Sequence, residues 1–77
     1  KIHPVSLPEF AGCNPWEKLK KSGKKQSEVI LHLMEDIPDS GKVLCRKAYN
    51  FDNIEEGRTI ADAIAAEVIY EYIMERE

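Results

Sequence analysis

Long apolar runs are missing from this 77-residue chain. None approaches the ~20 residues that span a bilayer, and the opening KIHPVSLPEF lacks the continuous apolar segment of a signal peptide. A cytoplasmic location is the default expectation, although a first residue of Lys1 rather than Met is compatible with a removed leader or a longer parent. Glycine is scarce, with four in the chain, and no Gly-rich phosphate loop is spelled. No nucleophile elbow is present either. The two cysteines and two histidines, Cys13, Cys45, His3 and His32, have the count of a Cys2His2 zinc site but not its close ligand pairs along the chain. One disulfide or two free thiols fit the cysteines, and free thiols are the expectation. A hairpin would put His32 and Cys45 on adjoining strands, where a half-buried histidine and a core cysteine are the simpler reading, since nothing nearby orients a nucleophilic pair. Adjacent carboxylates, Glu55-Glu56 and Glu35-Asp36, point in different directions. The expectation is therefore a protein without enzyme activity, metal or cofactor.

What the chain does have is a polarity of charge. Residues 1–25 carry six Lys against two Glu, whereas residues 52–77 carry two Arg against eight acidic side chains, within a net charge of −3. The apolar content, 43%, is that of a folded module. A single domain of this size buries only about 60% of the surface its unfolded chain exposes, so it gains from further burial against a partner.

Pro4 and Pro8 mark residues 1–13 as an extended arm, leaving 14–77 as one domain. Asn14-Pro15-Trp16-Glu17 is a helix-start signal, and the helix should end near Ser22-Gly23 with Trp16 and Leu19 facing inward. Residues 27–37 fit both a strand and a helix face. The flanking Pro38-Asp39-Ser40-Gly41 turn chemistry and the alternation of Val43, Cys45, Tyr49 and Phe51 favour a β-hairpin, about 28–36 with 42–51. One register sets Leu33 opposite Cys45 and Val29 opposite Tyr49. Another, with a four-residue loop, pairs Ile37 with Lys42. Gly57 argues for a turn at 53–57 and a long helix beginning at Arg58 or Thr59. The fold class is α+β, in the order α-β-β-α with the hairpin packed on the C-terminal helix. A small all-α bundle is the alternative.

The last helix carries two apolar stripes, one of Ile60, Ile64, Ala65, Val68, Ile69, Tyr72 and Ile73 and a second of Ala63, Ala66, Tyr70 and Met74. Glu67, Glu71 and Glu75 form a ladder at i, i+4 spacing that costs an isolated helix a few tenths of a kcal/mol per pair. Together Glu67, Tyr70, Glu71, Met74 and Glu75 make a partner-binding surface, with apolar anchors and carboxylates that steer toward a basic protein. The functional expectation is a small, self-associating, non-enzymatic interaction module, such as a phage-encoded regulator or inhibitor. Five lysines in eight residues, Lys18, Lys20, Lys21, Lys24 and Lys25, support a different class, a nucleic-acid-binding module. A third reading is an accessory subunit or a fragment of a larger assembly, in which the arm at residues 1–13 docks on a neighbour.

Overall fold

A computed structural model of the chain describes residues 1–36 and 41–75. Five elements follow in order: β1 (Ile2–His3), α1 (Pro15–Ser22), β2 (Gln26–His32), β3 (Val43–Asn50) and α2 (Ile54–Glu75). The strands form one antiparallel sheet, β1-β2-β3. The class is α+β, with a hairpin packed on a long C-terminal helix, and not the all-α bundle. The arm differs from expectation in one respect, because its first residues join the sheet as β1.

The ambiguous segment becomes a strand because Val29 and Ile30, adjacent in sequence and both β-branched, are fully buried on opposite sheet faces. Its register is Val29↔Lys47 and Leu31↔Cys45, two residues from the expected Leu33↔Cys45. An even slip leaves the side chains as far as Cys45 on the faces assigned to them, whereas the bulge turns Val43, expected beside Cys45, to the face of His32. The strands are shorter than expected because the ladder ends at His32↔Val43, after a bulge, and Leu33 N donates to Lys42 O at 2.9 Å. The expected turn at Ile37, Pro38, Asp39 and Ser40 lies outside the described residues.

One sheet face carries the core, in which Val5, Phe10, Leu19, Val29, Tyr49, Phe51 and Ala61 form a buried cluster joined by Ile2, Trp16, Ile60 and Ile64. The arm, α1 and α2 all contribute to this side. Helix α1 runs between Asn14 and Gly23, both left-handed, as the sequence signals indicate. Helix α2 starts at Ile54, four residues before the expected position. Asn53 Oδ1 accepts the Glu56 N–H at 2.9 Å, and Glu56 Oε1 accepts the Asp52 N–H at 3.3 Å, so the capping lies ahead of Gly57. Gly57 is inside the helix for a packing reason, since a Cβ there would stand 3.1 Å from Phe51 Cγ. The close approach of the ring offsets the glycine's poor helix propensity.

The Tyr49 hydroxyl donates to Pro4 O at 2.7 Å and ties the arm to β3. Burial pushes this phenol up to about 12. The folded state thus holds a proton that the unfolded chain loses near pH 10. This contribution is intact below about pH 10 and is lost as the pH rises from about 10 to about 12. Tyr49→Phe is expected to flatten that part of an alkaline stability profile, while the lost hydrogen bond costs about 1 kcal/mol at neutral pH. Denaturant unfolding across that range checks both effects.

Candidate functional site

The sheet face turned away from the core cluster carries both histidines. His3 lies opposite Ile30 in the β1–β2 pair, and His32, two residues beyond Ile30, shares its face. Lys1 and His32 face one another across the pair, with Lys1 N donating to His32 O at 2.7 Å and His32 N donating to Lys1 O at 2.8 Å. His3 and His32 are therefore diagonal neighbours, with Cα atoms about 7–8 Å apart. Arg46, opposite Ile30 on β3, extends the row and approaches Glu28 at 3.6 Å.

Both imidazoles are buried, at 3% and 1% exposure. His3 Nδ1 lies 2.7 Å from Val5 O, and His32 Nδ1 lies 2.7 Å from Leu33 O. A carbonyl only accepts, so each Nδ1 carries the hydrogen and Nε2 is the basic nitrogen of the neutral ring. The two Nε2 atoms are buried as well. A backbone acceptor at Nδ1 thus fixes the tautomer and the orientation of each ring.

Among the described residues no group of three or more His, Cys, Asp or Glu is placed to hold a metal ion. Cys13 is exposed, and both cysteines are free thiols. Cys45 pairs with Leu31, so it occupies the core side of the sheet and not the side of His32. The two residues do not come together.

The lysine cluster is engaged largely by the chain's own groups. Lys18 donates to Ala11 O at 2.7 Å, Lys25 donates to Asp52 O at 2.6 Å, and Lys21 lies 3.9 Å from Glu17. Lys24 pairs with Glu9 and sits 5.9 Å from the Phe10 ring centroid, while Lys20 is exposed. A polar concavity of about 580 Å³ at this end of the sheet is lined by Ser6, Glu9, Lys24, Lys25, Ser27 and Glu28. It mixes both signs of charge and contains neither histidine.

The carboxylate ladder is partly neutralised within the chain. Lys47 pairs with Glu67 and lies 3.6 Å from Glu71. The hydrogen bond to Glu67, aided by the attraction of both carboxylates, holds the Lys47 ammonium above its usual range, and the same bond holds the Glu67 carboxyl below its own. Glu75, Tyr70 and Met74 are exposed, Tyr70 at 64% and Met74 at 46%. The stripe that meets the core is centred on Gly57, Ala61, Ile64, Ala65 and Val68, leaving Ile69 and Ile73 outside it.

The sequence reading missed the histidine pair because the residues are 29 positions apart with no motif between them. A signal existed, however. His32 interrupts the run Val29-Ile30-Leu31-His32-Leu33, and a titratable ring in a buried strand costs free energy unless it is bonded or used.

No protein-family model matches the chain. It is 30% identical over 54 residues to the methionyl-tRNA formyltransferase of Thermotoga neapolitana, a match covering 70% of this chain and 17% of that protein. The solved phosphoribosylglycinamide formyltransferase of Streptococcus pneumoniae superposes with a TM-score of 0.85 and 26% identity, over 95% of this chain and 42% of the other. A formyltetrahydrofolate deformylase from Pseudomonas syringae shares the fold, with a TM-score of 0.82 and 21% identity over 94% of this chain and 25% of its own. The chain thus spans less than half the length of each of these three proteins. These findings correct the expectation of a non-enzymatic module acting as a regulator or inhibitor: the chain carries an enzyme fold, that of a portion of a formyltransferase.

Proposed function

We propose that this domain works in formyl transfer to an amine, with His3 and His32 as the groups that handle protons. One observation carries the reading. Two buried imidazoles share a sheet face, each with Nε2 set as the basic nitrogen, in a chain whose fold is matched by formyltransferases.

The chemistry suits such a pair. As an amine nitrogen attacks the formyl carbon, a new C–N bond forms and the amine becomes acidic. A neutral imidazole Nε2 takes that proton. Collapse of the tetrahedral intermediate breaks the bond to the donor, whose leaving nitrogen takes up the proton that the imidazole gained in the first step. Burial keeps water from Nε2, which favours transfer to the amine over hydrolysis. A substrate that meets these rings displaces whatever covers them.

The test is a transfer assay on the polypeptide as its gene encodes it, with formyltetrahydrofolate as donor and phosphoribosylglycinamide or methionyl-tRNA as acceptor. Formylation of either acceptor is the expected result. Absence of transfer to both, with the fold intact by circular dichroism, would overturn the reading.

A further inference from the structure

The face that carries the histidines also carries a pair of opposite charges. On β2 it presents Gln26, Glu28, Ile30 and His32, and on β3 Arg46, Ala48 and Asn50. Histidines aside, Glu28 and Arg46 are the members of this set that are charged at neutral pH. Arg46 lies in the same cross-strand row as His3, with the fully buried Ile30 between them. Their backbones are thus two strand spacings, about 10 Å, apart. The Arg46 side chain is 51% exposed, and at 3.6 Å its contact with Glu28 is an attraction of charges and not a hydrogen bond. Its planar guanidinium, with five N–H donors in a fork, therefore has donors to offer a ligand. The nearby lysines are placed differently. Lys24 pairs with Glu9, Lys25 donates to Asp52 O, and Lys47 is held by Glu67 and Glu71 on the core side of the sheet.

We propose that Arg46 anchors the substrate on this face, its guanidinium binding an oxyanion of the molecule whose reacting end lies at His3. A phosphate or carboxylate accepts two parallel N–H bonds from one guanidinium, which fixes the orientation of the molecule as well as its distance from the ring. Any part that extends past the anion has room in the polar concavity of about 580 Å³, whose lining includes Glu28 and Ala48. Glu28 attracts the same guanidinium and repels an incoming anion, so it opposes binding. This inference deepens the formyl-transfer reading and rests on it for what happens at His3, while anion binding at Arg46 is measurable without the reaction.

The experiment titrates two probes into the polypeptide as its gene encodes it: ribose 5-phosphate, a phosphate ester, and 4-aminobenzoylglutamate, a dicarboxylate. The Arg46 Nε–H signal is followed by nitrogen-15 NMR, and the affinities of variants come from calorimetry. A saturable shift with at least one probe is expected, and none with ribose; the probe that produces it identifies the oxyanion. Arg46→Gln should weaken binding about 10- to 100-fold, the loss of charge-assisted hydrogen bonds. Glu28→Gln should strengthen it, and Lys24→Gln should leave it unchanged. An ion pair that serves the sheet alone gives another pattern, because the Arg46 and Glu28 variants would then lose stability alike and bind the probes alike. That pattern, a shift that does not saturate, or no shift with either probe would overturn the proposal. The two proposals fail separately. Saturable binding at Arg46 without formyl transfer removes the reaction and leaves the anion site, whereas transfer with an unchanged KM in Arg46→Gln does the reverse.

Discussion

Replacing His3 with alanine is expected to slow the proposed formyl transfer by about 10²–10⁴-fold, the usual contribution of a positioned acid or base. The reasoning starts from the backbone. β1 pairs with β2 over Ile2 and His3, the ring is buried, and Val5 O fixes Nδ1 as the protonated nitrogen. Removing the ring also opens a small cavity and takes a donor from Val5 O, so loss of rate in His3→Ala alone is ambiguous. His3→Asn separates the two effects, because its amide can still donate to that carbonyl but has no basic nitrogen. An equal loss of rate in both variants, with a lowered denaturation midpoint in His3→Ala and a smaller change in His3→Asn, is the expected outcome. His3→Asn with wild-type activity would show that the ring is structural. His32→Asn applies the same test to the second ring, whose Nδ1 is held by Leu33 O.

The largest expected effect on stability is at Leu19. This side chain is fully buried and joins α1 to Val5 and Phe10 of the arm and Val29 of the sheet, all members of one cluster. Leu19→Ala removes that contact and leaves a cavity, at a cost of about 2–5 kcal/mol. An eight-residue helix has little stability of its own, so α1 stays in place mainly through this residue and the partly buried Trp16. Small domains have about 5–15 kcal/mol in total, and the loss should appear as a large fall in the urea midpoint. The exposed neighbour Lys20, changed to Ala, is expected to leave that midpoint within about 0.5 kcal/mol. A small effect at Leu19 would mean that the arm and α1 are not part of the cooperative unit. It would also weaken the link between the core and β1, which carries His3.

Much of the fold was legible because local signals were consistent with the long-range packing. Asn14-Pro15 and Gly23 set the limits of α1, and the alternation around Val29 and Tyr49 gave the correct faces even though the register slipped by two. Two features escaped for physical reasons. Gly57 reads locally as a helix breaker, and only the Phe51 ring against it, six residues earlier, explains why the helix runs through. The arm reads as extended, but its pairing with β2 is a non-local choice that period-two patterning does not encode. The histidine site depended on that pairing and so was lost with it. The charged residues that looked most functional, Lys18 to Lys25 and the ladder of Glu67 and Glu71, turned out to be extensively paired within the chain.

The most direct measurement is an NMR titration of the polypeptide, with its histidine side chains labelled with nitrogen-15, using formyltetrahydrofolate. Before addition, both His3 and His32 should show the tautomer with the proton on Nδ1. On addition, their Nε2 signals are expected to move together while the backbone amides of residues 18–25 stay in place. Saturable shifts confined to the lysine segment, or none at either imidazole, would contradict a formyl-transfer site on this sheet face.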